Sequence, residues 1–172
     1  ISIGTVQGYQ FQRLSTHAVE QSLVNQVVSD AIAYTYQQEG HSFYVLTFPK
    51  ANATWVYDVS TNAWHERAGF DNGAFTRQRA NNMCNFQGNI VVGDFENANL
   101  YTLDLDTYAD NGQIQRWLRS WRALPTGQND LRRTAQHGLQ LDMESGVGLN
   151  DGQGDDPAVF TTTISQDIIT NK

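Results

Sequence analysis

Asp142 and Glu144 stand two residues apart, so in a strand their carboxylates share one face. Such a pair can run acid–base hydrolysis, one carboxyl giving a proton while the other activates water or attacks. Strict alternation over residues 138–144 accounts for them equally well. Leu139, Leu141 and Met143 take one side, and Gln140, Asp142 and Glu144 form the solvated face of an amphipathic strand. Asp151-Gly152-Gln153-Gly154-Asp155-Asp156 has the composition of a calcium-binding turn, but it occurs once. The glycine-rich stretch 146–156 also lacks the Gly-Lys-Ser/Thr ending of a phosphate loop, and it reads as a hairpin loop. His17, His41, His65 and His137 show no metal-ligand spacing. Cys84, between Met83 and Asn85 in a strand pattern, reads as core packing. As the single cysteine it rules out an intrachain disulfide framework and a cysteine-based zinc cluster. No catalytic residue, metal or cofactor is expected.

A different chemistry is concentrated further along. Arg116, Arg119, Arg122, Arg132 and Arg133 are five of the nine arginines, and Trp117 and Trp121 are interleaved with them. Arginine and tryptophan are the common anchors of protein interfaces, so Arg116, Trp117, Arg119, Trp121 and Arg122 form the expected interface. The same mixture suits an exposed outer strand balancing nearby acids, or stacking on single-stranded nucleic acid. Composition weighs against the last: 18 acidic residues oppose 11 basic ones, a net charge of −7. Charged residues make up only 17% of the 172, and 16 Gln and 14 Asn supply much of the polar surface instead. Hydrophobics at 40% and aromatics at 11% suffice for a core, which excludes a disordered chain. Apolar runs such as residues 43–48 are too short to span a bilayer as a helix.

The elements that must carry these residues are mostly strands. Short aromatic and β-branched runs alternate with Gly, Asn, Asp and Pro. Residues 31–37 predict a strand with Tyr34 and Tyr36 on one face, and Glu39-Gly40 a turn. Residues 42–48 predict a strand buried on both sides, with Phe43 and Val45 one way and Tyr44, Leu46 and Phe48 the other. Strands at 54–59 and 63–67 complete an antiparallel four-stranded meander. The order then returns with strands at 82–86, 90–95 and 100–105. Trp55-Val56-Tyr57-Asp58-Val59 falls on Tyr101-Thr102-Leu103-Asp104-Leu105 at an offset of 46 residues, and the same offset carries Tyr44-Val45-Leu46 onto Ile90-Val91-Val92. An aspartate precedes the turn each time. A period in the forties with four strands per unit is the signature of a β-propeller blade.

The repeat places a fourth strand at 116–124, although Ile114, Trp117, Leu118, Trp121 and Leu124 also fit a helical face. Residues 15–28 predict the one helix, capped by Ser15 or Thr16, with Leu23, Val24, Val27 and Val28 as its apolar stripe. Strands at 138–144 and 158–164 follow. The expected fold is all-β: a partial β-propeller-like array of antiparallel four-stranded blades with one short N-terminal helix. Blade-like units are expected at about 30–68, 80–125 and 132–167. Closed propellers usually need about four or more blades, so the chain reads as part of a longer propeller. It opens on Ile1 without a signal-peptide pattern, which fits a processed product, a cloned segment or a longer protein equally.

Several stretches together carry a resemblance. They are Arg13-Leu14-Ser15-Thr16-His17-Ala18-Val19-Glu20, Gly40-His41-Ser42-Phe43-Tyr44-Val45-Leu46-Thr47-Phe48-Pro49, Thr54-Trp55-Val56-Tyr57-Asp58 and Trp64-His65-Glu66-Arg67. Leu141-Asp142-Met143-Glu144-Ser145-Gly146-Val147-Gly148, Gly152-Gln153-Gly154 and Asp156-Pro157 complete the succession. In that order the chain resembles the packaged-DNA stabilisation proteins, or tail accessory (nozzle) proteins, of short-tailed bacteriophages. The resemblance implies a virion structural protein without catalytic residues. It implies a ring oligomer below the portal-adaptor complex, meeting the tail needle and tailspike proteins, with packaged DNA nearby but not read by sequence, and no membrane. Assembly would take place in the host cytoplasm. The alternative reading is a kelch-like propeller, either a carbohydrate-binding module or a glycoside hydrolase, resting on Asp142 and Glu144.

Overall fold

The computed structural model describes residues 1–107 together with 109–110, 113–114, 116 and 118. The expected strands at 138–144 and 158–164, the glycine-rich stretch 146–156, Asp142, Glu144 and His137 lie outside the described residues. So does the unit expected at 132–167. The chain divides into two compact units, Ile1–Thr107 and Tyr108–Lys172.

The first unit opens with a hairpin, β1 (Gly4–Gln7) and β2 (Gln10–Arg13), in which Val6 faces Phe11. Helix α1 (His17–Ser22) follows. Thr16 caps it, its hydroxyl accepting from the Val19 amide, which satisfies a donor that the helix cannot. The helix expected over residues 15–28 is therefore only six residues long. Asn25 takes a left-handed conformation (φ 62°), and Val24 and Val27 are exposed rather than part of a stripe. Three β-branched valines with an asparagine among them favour the break. Val19 and Leu23 alone go fully inward, each 1% exposed.

Four strands then form the first sheet in sequence order: β3 (Ile32–Gln38), β4 (His41–Phe48), β5 (Ala53–Asp58) and β6 (Ala63–Glu66). Every pairing is antiparallel, as the meander pattern requires. Glu39 and Gly40 both take positive φ, 50° and 78°, the turn whose twist suits a two-residue hairpin. The expected two-faced burial of β4 holds. Leu46 and Phe48 pack with Val19 of α1 and Leu23 at its C-cap, flanked by Tyr44, Trp55 and Trp64. Val45 and Val56 point the other way with Tyr36, against Tyr34 and Phe43. Both valines are 0% exposed, and full burial stabilises each by about 1.5–3 kcal/mol. Trp64 also donates its indole N–H to the Leu14 carbonyl at 2.9 Å, pinning the segment that leads into α1.

A hairpin of β7 (Ala68–Asp71) and β8 (Ala74–Arg77) links this sheet to the next. It turns on Asn72-Gly73, with φ 49° and 84°. The second sheet holds β9 (Ala80–Phe86), β10 (Asn89–Asp94) and β11 (Leu100–Thr102) in the order β11-β10-β9. One of its faces supplies Met83 and Ile90 to the core around Val45 and Val56. The first unit is thus layered: α1, first sheet, second sheet. Cys84, expected in the core, is exposed. Alternation sends Met83 inward and so its neighbour outward. The third strand expected at 100–105 stops at Thr102, because Asp104 and the residues after it are drawn into a turn. In the second unit, β12 (Ala109–Asp110) pairs with β13 (Gln113–Ile114).

Candidate assembly surface

The aspartate that recurs before each turn has the same job in both repeats. Asp58 Oδ1 accepts from the Ser60 amide at 2.9 Å, and its Oδ2 accepts from the Thr61 hydroxyl at 2.7 Å. Asp104 Oδ1 accepts from the Asp106 amide at 3.2 Å, and its Oδ2 from the Thr107 hydroxyl at 2.9 Å. Each carboxylate closes its turn by replacing a backbone acceptor. Asp58 alone gains a further partner, His41 Nδ1 at 2.7 Å, within diagonal reach because Asp58 pairs with Phe43, two residues along β4 from His41. Burial would raise the Asp58 pKa, but the Thr61, His41 and Ser60 hydrogen bonds outweigh it and hold the carboxyl at about 2. Asp104 is lowered mainly by its bond from the Asp106 amide.

Other charges are likewise engaged within the unit. Arg13 reaches Glu20 through both Nε (2.7 Å) and a terminal nitrogen (2.5 Å). The Ser15 hydroxyl donates to the same carboxylate at 2.6 Å and accepts from the Ile3 amide, which ties the first hairpin to α1. The Ser15 bond is the main cause of a lowered Glu20 pKa. Arg79 bridges Asp94 at 3.2 Å and Glu96 at 2.6 Å. The Arg67 guanidinium lies over the rings of Tyr36 (5.4 Å) and Phe43 (5.3 Å), and Arg77 over Phe95 (3.6 Å). His65 meets the Phe43 ring edge-on. Burial pushes the Tyr34 hydroxyl up to about 12. Among the described residues, no group of three His, Cys, Asp or Glu is placed to hold a metal ion. No helix there is long and apolar enough to cross a membrane.

What the unit presents outward is apolar in two places. The first hairpin exposes Val6, Tyr9 and Phe11, with Tyr9 wholly in solvent. The second sheet exposes Phe86 and Leu100 on the face turned away from the first sheet. Exposed apolar side chains such as these are candidate contact points for a neighbour. Of the interface residues expected from the sequence, Arg116 is described and exposed. Trp117, Arg119, Trp121 and Arg122 lie outside the described residues. The first hairpin escaped the sequence reading, although Gly8 between two alternating runs was its signal. So did β7–β8, for which Asn72-Gly73 was the signal.

Two antiparallel sheets of one 46-residue repeat, packed face to face, define an all-β repeat protein of the propeller type. Among the described residues they form part of a propeller rather than a closed ring. The chain belongs to the phage-stabilisation family, described as bacteriophage P22 Gp10, beta-propeller, which matches residues 1–108. It is accordingly a phage structural protein of the kind that stabilises packaged DNA, a component of the virion. No curated protein and no solved structure matches the chain significantly.

Proposed function

We propose that the protein is a tail accessory factor of a short-tailed phage, a nozzle component that assembles as a ring below the portal-adaptor complex. Its role there is to help close the channel after the genome is packed. The tail needle and tailspike proteins are its further neighbours, and it joins the particle in the host cytoplasm. The family match over residues 1–108 carries this reading. The apolar surfaces around Tyr9 and Phe86 support it as contact areas for neighbours. A net charge of −7 repels DNA rather than binding it, so the genome is held by steric closure in this reading. No catalytic step is assigned.

The test is reconstitution. Purified protein is mixed with portal-adaptor rings and the products are examined by electron microscopy and sedimentation. Ring-shaped density added beneath the adaptor is the expected result. A protein that stays monomeric and leaves the rings undecorated would overturn the proposal.

A further inference from the structure

Four asparagines hold the left-handed backbone conformation: Asn25, Asn52, Asn62 and Asn72, with φ of 62°, 51°, 56° and 49°. Their surroundings differ. Asn52 Oδ1 accepts from the Arg77 amide at 3.0 Å, and Asn62 Oδ1 accepts from the Tyr57 hydroxyl at 2.9 Å. Asn25, Asn52 and Asn62 are each followed by a residue with a side chain, Gln26, Ala53 and Ala63. Asn72 is followed by Gly73, and no other asparagine among the described residues precedes a glycine. Its carboxamide donates through Nδ2 to the neighbouring Asp71 carboxylate at 3.0 Å, in an exposed position.

The backbone there is equally open. Asp71 and Ala74 are the last pair of the β7–β8 ladder, so Asn72 and Gly73 lie outside it. A Cβ added to Gly73 would meet nothing within 4 Å. β7 and β8 form a sheet of two strands, and such a hairpin has little stability of its own. It belongs to the part of a fold where local opening is frequent.

We propose that Asn72 is a site of spontaneous deamidation in the folded protein. The Gly73 nitrogen loses its proton and bonds to Asn72 Cγ. The Cγ–Nδ2 bond breaks, and ammonia carries away that nitrogen together with the proton. The cyclic imide left behind takes up one water. Opening at Cγ gives aspartate; opening at the main-chain carbonyl gives isoaspartate, which routes the chain through the side chain. Glycine matters because no Cβ obstructs the approach of its nitrogen. Either product places a second carboxylate beside Asp71. Isoaspartate also adds a backbone atom to a turn whose two residues set the strand register. The hairpin links the two sheets, so each chain carries a record of its age at that junction. The proposal is independent of any position in the tail.

The full native chain is aged at mildly alkaline pH, then unfolded and digested with trypsin. The peptide 68–77 holds Asn72 as its one asparagine, and the peptide 51–67 holds Asn52 and Asn62. Mass spectrometry reads the exchange of the amide NH2 for OH. It should accumulate in 68–77 at least about tenfold faster than in 51–67, because only Gly73 leaves the attacking nitrogen unobstructed. Aged chains, separated by their added charge, should be cut by chymotrypsin at Phe70 and Phe75 at least about fivefold faster than fresh ones, since the hairpin opens more often. Asparagines of 51–67 reacting as fast as Asn72, or a peptide 68–77 that stays intact, would overturn the proposal. Equal cutting of aged and fresh chains would overturn the effect assigned to the hairpin.

Discussion

Asp58 shows how much one side chain organises. It closes the β5–β6 turn, receives His41 across the sheet, and is buried while doing so. Its folded pKa of about 2 lies below the ordinary 3.8. A depressed carboxyl contributes stability that is complete above the unfolded value and is lost as the pH falls through 3.8 toward about 2. The expected outcome is that Asp58→Asn lowers the thermal midpoint at pH 7 and flattens that acid-limb loss, measured by thermal unfolding across pH. Asp104→Asn, at an exposed turn without a histidine, should lower the midpoint less. The recurrence of this aspartate was legible because it sits at a fixed offset before each turn. The His41 partnership was not, because residues 17 apart meet only once the strand register is known. Cys84 misled for a related reason: one inward neighbour decides a strand residue's side, and composition alone does not say which neighbour that is.

Elements tell a similar story about local against tertiary control. A six-residue helix is far below the length at which an isolated helix holds in water. Helix α1 persists because Thr16 caps it and Val19 and Leu23 anchor it on the first sheet. Leu23→Ala should therefore cost about 2–5 kcal/mol in denaturant unfolding, while Val24→Ala and Val27→Ala stay within about 0.5 kcal/mol. Spacing alone had merged all of these into one long stripe; the left-handed Asn25 divides them. Turn chemistry was more reliable. Glu39-Gly40 was read correctly because glycine follows an alternating run, and β3 to β6 came out in the right order with it. At Gly73, φ is 84° and a Cβ would meet nothing, so Gly73→Ala isolates backbone strain. About 1–2 kcal/mol is the expected loss, again by denaturant titration. The early end of β11 was hidden because Asp104 competes with the ladder for its own backbone.

For the whole molecule, association is expected to depend on apolar surface rather than charge. Charged residues are 17% of the chain, and the cations Arg13, Arg67, Arg77 and Arg79 are already engaged inside the first unit. The proposed ring assembly should then persist from about 0.1 M to about 0.5 M salt, where exposed ion pairs are screened; sedimentation velocity measures this. Tyr9→Ser, at a position wholly in solvent, should change the stability of the isolated chain by less than about 0.5 kcal/mol. The two-repeat architecture was visible from periodicity, but the stacking of the sheets was not, since a strand pattern says that a face is apolar and not what lies against it. One more consequence lies in the order of the strands. Among the described residues, each strand pairs with a neighbour in sequence, across short turns. Such local pairing closes quickly, so the first sheet can be complete while the second is still being synthesised. Folding can then follow the ribosome from the N-terminal side, with each finished sheet serving as the template on which the next one lands.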